Sequence, residues 1–314
     1  MNLLASLRYL VALDEHRHFG RAAQACHITQ PALSNALRAL EEEFGTSIVK
    51  RGRAFADFTP EGERILASAQ RMLHEHELLQ QELNSVAGRP QGTLTLAAVP
   101  TAVPIAARFA ALLQARHPGI APVVRSMSSP EIEVGLESLS VDMGLGYTDR
   151  VGQRGIKLRT IDQYTERYFL LRRAESPSAD GLQMGPAMSW LEASQLPLSL
   201  LTAEMHNRTI IDSAFAVAGA EVRPAIQTNS ILTLGLSVVA GAVCSVLPGA
   251  LVGVMRGYRE LEALPLVHPE VLTPIGFMVA ITDRPSRTVE AALAMAEEAF
   301  WREQVAAHSG LLVA

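Results

Sequence analysis

From Glu63 to Ala87 the chain holds neither glycine nor proline, and Ile65, Ala69, Met72, His76, Leu79, Leu83 and Val86 recur there at alternating steps of four and three. Side chains spaced in this way lie on one stripe of an α-helix and make the seam of a coiled coil. Thr59 stands before the stretch as a cap, and Pro60 takes the first helical position, where a missing N–H costs little. Roughly 27 residues rising ~1.5 Å each form a rod of about 40 Å. A long amphipathic helix lying on its own domain is the alternative reading. His76 reads as a tolerated polar position rather than a ligand. The helix, over residues 59–88, separates a short segment, 1–58, from a long one, 89–314.

The short segment is patterned as brief helices with tight turns. Leu3, Leu7, Leu10 and Val11 recur at helical spacing, and a second helix over 20–26 carries Ala22, Ala23 and Ala25, small enough for close helix contact. Thr29 caps a third helix, with Pro31 in its first turn, Leu33, Leu37 and Leu40 on its buried stripe, and Gly45 at its end. The opposite face presents Gln30, Ser34 and Arg38, with Asn35 beside them. Two helices joined by a tight turn, the later one polar outside, describe a helix-turn-helix. Gln and Asn can pair bidentately with adenine, Arg with guanine. A strand-like piece over 47–50 and its return over 54–58 form a wing, whose Lys50, Arg51 and Arg53 suit phosphates or the minor groove. Seven basic residues (Arg8, Arg17, Arg21, Arg38, Lys50, Arg51, Arg53) face six acids (Asp14, Glu15, Glu41, Glu42, Glu43, Asp57), so a merely solvated polar face stays an alternative. The whole-chain charge of -5 excludes a protein that coats nucleic acid along its length, but not a local DNA-binding face.

Phe19-Gly20-Arg21-Ala22-Ala23, Ile28-Thr29-Gln30-Pro31-Ala32-Leu33-Ser34, Leu40-Glu41-Glu42-Glu43-Phe44-Gly45 and Phe58-Thr59-Pro60-Glu61-Gly62 resemble, in order and spacing, the LysR-type transcriptional regulators. The resemblance implies an all-α, winged helix-turn-helix N-terminal domain, a dimerising linker helix and an α/β, two-lobed effector domain like the periplasmic binding proteins. It also implies a homotetramer built as a dimer of dimers. The expected DNA-binding set is Arg21, Thr29, Gln30, Pro31, Ser34, Asn35, Arg38, Arg51 and Arg53. Double-stranded DNA with a partly palindromic site is the expected partner, with RNA polymerase as an open one. One departure is visible: Ile48-Val49 stands where the family usually has Leu-Phe before the wing.

Beyond the linker-like Gly88-Arg89-Pro90-Gln91-Gly92, short apolar strands alternate with helices, which predicts parallel sheet with helical crossovers. Strands are expected over 93–99, 121–127, 143–146, 168–171, 198–201, 225–228, 244–247 and 274–281, and a closing helix over 288–305. The pattern fits two lobes, one over about 92–163 and 270–305, the other over about 164–269. No Gly-x-Ser-x-Gly elbow, P-loop or His-Glu-x-x-His occurs, and His117, His206 and His268 are isolated, so no catalytic or metal site is expected. The two cysteines, Cys26 and Cys244, make no disulfide framework. Apolar runs such as 231–247 are interrupted by polar residues, and Met1–Leu13 lacks the marks of a signal peptide, which together predict a cytoplasmic protein.

In open sheets of this kind ligands bind beyond the carboxyl ends of strands, against helix N-termini. The residues at those ends are Pro100-Thr101-Ala102, Ser128-Ser129, Thr202 with Met205-His206-Asn207-Arg208, and Thr228-Asn229-Ser230; Thr101, Ser128, Ser129, Thr202, Met205, Asn207, Arg208 and Asn229 form the expected effector set, and several match the family's inter-lobe effector site. Arg208 is the side chain expected to neutralise an anion there; for the Ser, Thr and Asn residues a simple capping role is the alternative. The stretch from Leu200 to Asp212 is similar to regulators associated with formate dehydrogenase genes, which implies formate or another small organic acid as effector. The reading is thus a LysR-type regulator controlled by a small ligand, without a cofactor. A constitutive DNA-binding repressor, and an enzyme or transport-type module with a vestigial DNA domain, are the alternatives.

Overall fold

The computed structural model describes residues 2–50, 55, 57–84, 90–151, 157–282 and 284–309. Its contacts divide into two units, one of residues 1–87 with the short piece 137–140, the other of residues 88–136 and 141–314.

The first unit begins with α1 (Leu3–His16), α2 (Phe19–Ala25) and α3 (Gln30–Phe44), followed by α4 (Pro60–Asn84). Each short helix starts on a side-chain cap. The Asn2 amide oxygen accepts from the Ala5 N–H, His18 Nδ1 from the Gly20 and Arg21 N–H groups, and the Thr29 hydroxyl from the Ala32 N–H. Gly45, at φ 63, ends α3 by donating its N–H to the Glu41 carbonyl. Leu7, Leu10, Leu13, Ala22, Ala23, Leu33, Leu37 and Leu40 close one core, which Ile48 and Phe58 join from the start and end of the wing. Ala25, expected among the contact alanines, is exposed. The predicted seam of α4 divides in two: Ala69 and part of Ile65 belong to this core, whereas Met72, Leu79 and Leu83 are exposed, Leu83 at 74%. The first turns of the rod are therefore used by the small domain itself. Val86 lies outside the described residues.

The wing is anchored by an acid of α3. The Glu41 carboxylate accepts from the Ile48 N–H at 2.7 Å and the Val49 N–H at 3.3 Å, Val49 bridges Phe58, and the Thr59 N–H reaches the Ile48 carbonyl at 2.9 Å. Arg51 and Arg53 fall outside the described residues.

The second unit carries two sheets. In chain order its elements are β1 (Gly92–Ala98), α5 (Val103–Arg116), β2 (Ile120–Ser126), α6 (Ser129–Glu137), β3 (Met143–Tyr147) and β4 (Leu158–Glu166). Then come β5 (Tyr168–Arg173), β6 (Gln183–Met184), β7 (Met188–Ser189), α7 (Trp190–Ala193), β8 (Leu198–Leu201), α8 (His206–Val217), β9 (Ile226–Thr228), α9 (Ile231–Ala240), β10 (Cys244–Pro248), α10 (Gly249–Val254) and β11 (Leu261–Val267). β12 (Thr273–Ala280), α11 (Arg287–Glu297) and α12 (Ala299–His308) complete it. The first sheet runs β2-β1-β3-β12-β4 and the second β6-β11-β5-β10-β8-β9, so the chain leaves the first lobe after β4 and returns to it at β12. Phe109, Phe277 and Trp301 fill the first lobe; Trp190 and Phe215 on one side, Phe169 and Leu234 on the other, fill the second.

Three expectations are corrected. The sheets are mixed, not parallel: β12 is antiparallel to β3 and β4, and β5 to β10 and β11, because strands that carry the chain between lobes return without a helical crossover. β4 and β11 were not anticipated. β4, Leu-Arg-Thr-Ile-Asp-Gln-Tyr-Thr-Glu, is a sheet-edge strand whose polar face reads as loop, and β11 contains Pro265. The single closing helix is broken at Glu298, which is extended (φ -67, ψ 141) and pairs its carboxylate with Arg116.

A Cβ on Gly62, in the first turn of α4, would lie 2.1 Å from the Ile48 carbonyl oxygen, a contact only backbone movement can relieve. Gly62→Ala is expected to destabilise the first unit by about 1–3 kcal/mol, read by chemical unfolding, and to dislodge the wing from α4.

Candidate functional site

In the first unit the polar face of α3 is where the spacing places it. Gln30, Asn35 and Arg38 are exposed and Ser34 half-buried, opposite the buried Leu33, Leu37 and Leu40. Thr29 and Pro31 stand exposed at the helix start. Arg21 is exposed and donates to the His16 carbonyl at 3.0 Å, which holds it beside the turn between α1 and α2. At the wing base Arg17 contacts Asp14 at 2.8 Å and Asp57 at 3.2 Å and lies over the Phe55 and Phe58 rings, while Lys50 meets Asp57 at 3.3 Å. The Phe58 N–H and Lys50 hold the Asp57 carboxyl below its usual range. Burial raises that of Asp14.

The second unit has a pocket between its lobes, at the carboxyl ends of β1, β2, β3 and β8. Val99, Pro100, Thr101, Ser128, Ser129 and Tyr147 line it from the first lobe, and Leu201, Met205, His206 and Asn207 from the second. Its free volume is about 10 Å³, room for about one water and far below the ~300–1,000 Å³ of sites for drug-sized ligands. Thr101, Ser128, Ser129, Met205 and Asn207 were expected here. The Thr101 and Tyr147 hydroxyls are 3.0 Å apart, and Asn207 Nδ2 donates to the Tyr168 hydroxyl at 3.4 Å. Ser128 donates its hydroxyl to Glu131 at 2.7 Å, so that carboxylate meets the start of α6.

Three expected residues stand elsewhere. Thr202 donates its hydroxyl to Glu204 at 2.6 Å, and Asn229 is exposed; neither lines the pocket. Arg208, 8% exposed, turns back into the second lobe: Nε donates to Asp212 at 2.7 Å, and Nη1 to the Leu201 carbonyl at 2.9 Å and to Gln227 at 3.5 Å. Buried, a guanidinium needs such acceptors, and they lie on its own helix and sheet rather than in the cleft.

His206, which stood among the expected strand-end residues, is joined there by groups the spacing did not mark. Arg150 Nη1 lies 3.0 Å from His206 Nδ1 and its Nε 3.5 Å from Glu133, and the Tyr147 ring meets the His206 ring edge-on. Burial, then the Arg150 charge, lowers the His206 pKa. Glu166, the last residue of β4 and fully buried, has neither carboxylate oxygen hydrogen-bonded. Burial pushes its pKa up to about 8; Tyr147, Tyr164 and Tyr168 are raised in turn by burial and by Glu166. Tyr147 was discoverable, since it closes a strand at the ligand-binding end. Glu166 was hidden in the strand that reads as loop.

Two family models match the chain: "Bacterial regulatory helix-turn-helix protein, lysR family" over residues 4–63, and "LysR substrate binding domain" over residues 87–301. The chain is similar to the DNA-binding transcriptional dual regulator OxyR of Escherichia coli, with 27% identity over 283 residues and 88% of each chain covered. Its fold is that of a full-length OxyR variant of Pseudomonas aeruginosa (22% identity, 93% of this chain and 96% of that one, TM-score 0.66). It is also that of full-length CbnR complexed with its target DNA (20% identity, 93% and 99% covered, TM-score 0.62).

The buried carboxyl has a pH signature. Between about 4.5 and about 8 folded Glu166 keeps a proton that the unfolded chain has released. Its contribution to stability is therefore fully present below about 4.5 and lost as pH rises through about 8. Urea unfolding at intervals from about pH 5 to about pH 8 should show wild-type stability declining by up to ~1.4 kcal/mol per pH unit from this group. Glu166→Gln should remove that component of the slope.

Proposed function

The chain belongs to the LysR family of bacterial DNA-binding transcriptional regulators, and from that premise we propose that it is a ligand-responsive regulator that binds promoter DNA through α3. The observation that carries this is the row of exposed Gln30, Asn35 and Arg38 with half-buried Ser34, set on a helix whose other face is fixed in the core. Gln30, Ser34 and Arg38 read base edges, and Arg51 and Arg53 hold the phosphate backbone. One such helix spans only a few base pairs, so two copies act on the halves of a partly palindromic site. The exposed Met72, Leu79 and Leu83 supply the pairing surface, with a tetramer formed from two such dimers. Such a protein works in the cytoplasm.

The effector binds between the lobes, and its preference for one closure sets how far it can shift DNA binding or activation. The pocket has room for about one water, so formate enters only as the lobes part, and Arg208 does not supply the cationic anchor a small organic acid was expected to use. Thiol chemistry finds little support: Cys26 and Cys244 are the two cysteines, and burial raises the pKa of both. A constitutive repressor with no ligand response is the competing outcome.

Arg38→Ala should weaken binding to the protein's own promoter by ~1–3 kcal/mol and relax preference at one base position, read by fluorescence anisotropy on single-substituted duplexes. Equal loss on every sequence would make it a phosphate contact. Leu79→Asp with Leu83→Asp should shift sedimentation toward monomer and cut promoter affinity about tenfold or more. An unchanged dimer would move the pairing surface elsewhere.

A further inference from the structure

We propose that Arg17 is a positioning residue for DNA recognition: it pins the returning strand of the wing to the turn between α1 and α2, and it acts through Asp57 rather than on the duplex. This rests on the reading above that α3 and the wing meet promoter DNA. Arg17 ends α1 in the left-handed region, at φ 47, with its N–H donated to the Leu13 carbonyl at 2.9 Å. Glycine or asparagine usually takes such a place, because a Cβ is crowded there. An arginine held in that conformation points to a use for its side chain. The guanidinium donates to Asp14 at 2.8 Å and to Asp57 at 3.2 Å, and its carbon lies 5.7 Å from the Phe55 ring centre and 5.6 Å from that of Phe58. Asp57 accepts in turn from the Phe58 N–H at 3.0 Å and from the Lys50 ammonium at 3.3 Å. Phe55 meets Phe19, the first residue of α2, edge-on.

The wing is thus held from two sides. α3 grips its first strand through Glu41 and the Ile48 and Val49 N–H groups, and the α1–α2 turn grips the return at Phe55, Asp57 and Phe58. A single exposed ion pair contributes little, and the side chains of Arg17 and Asp57 are about half exposed. This guanidinium, however, joins two carboxylates by its edge and two rings by its face, a combination that its planar shape allows and an ammonium cannot copy. Lying between two acids, it is a poor candidate for a phosphate contact. What it does is hold the wing in register with α3, so that backbone and base contacts can be made together. Charge gives the test its sign. By net charge alone, removing Asp57 would tighten binding to a polyanion and removing Arg17 would loosen it. A positioning pair predicts a loss from both.

Fluorescence anisotropy of the full chain on its promoter duplex, and on a random duplex of equal length, is measured over a series of KCl concentrations. Arg17→Ala and Asp57→Ala are each expected to lower the preference for promoter over random DNA about three- to tenfold. The double variant should lose no more than the weaker-binding single, and the slope of log affinity against log salt should stay at the parent value. Arg17→Lys, which keeps the charge without the planar fork, should behave as Arg17→Ala does. Asp57→Ala changes a half-exposed surface side chain, so its sign is readable even where Arg17→Ala melts early. Tighter promoter binding by Asp57→Ala, additive losses in the double variant, or unchanged preference in both singles overturns the proposal. So does a salt slope shallower by about one in Arg17→Ala, the mark of a lost phosphate contact. Arg38→Ala keeps the two readings apart: a loss there with none at Arg17 and Asp57 removes the positioning role alone, whereas a parent chain without promoter preference removes both.

Discussion

The second unit is shaped by one constraint: the chain passes between its lobes twice, and both passages meet at the same rung. Glu166, where the chain leaves the first sheet, is paired across the ladder with Thr273, where it returns. Tyr168, two residues past the exit, hydrogen-bonds Thr273 and receives the Asn207 amide. This junction carries polar side chains from both lobes in a space sealed from water, and the pocket opens against it. Such a site tolerates an acid only in its neutral form, which is what burial does to Glu166. The electrical character of the pocket is thus a consequence of how the lobes are joined as much as of the residues lining it.

The same reasoning explains the guanidinium that turned away. Arg208 occupies the first turn of α8, a position from which a long side chain could swing into the cleft or back onto β8. Its acceptors, a backbone carbonyl, an amide oxygen and a carboxylate, all lie on the lobe side. A charged group this buried goes where its hydrogen bonds are complete. Arg150, which no spacing rule marked, then sets the tautomer of His206 from the opposite lobe.

Legibility in the sequence followed the range of the forces involved. Helices with local caps, those begun by Thr29 and ended by Gly45, were readable because the cap and the helix are neighbours in sequence. The leucine stripe of α3 and the polar row opposite it followed from the same period. What was not readable depended on distant partners: β4 and β11 become strands because other strands accept them, α11 and α12 part where Glu298 meets Arg116, and the seam of α4 divides where the small domain claims its first turns. Glu41 is the plainest case. Counted with the acids it weakens the basic character of the first 58 residues, yet its carboxylate is bound to the backbone N–H groups of Ile48 and Val49 and is structural. Pocket residues at strand ends were found by position; those that set its charge were not.

The close approach of Gly62 to Ile48 has a mechanical result. With no side chain between them, the opening turn of the long helix and the root of the wing form a joint without slack, the backbone of one resting on the backbone of the other. In the proposed dimer, any roll or splay of one shaft carries Ile48, at the root of its wing, through the same arc. The separation of the two wing roots is then geared to the angle at which the shafts cross.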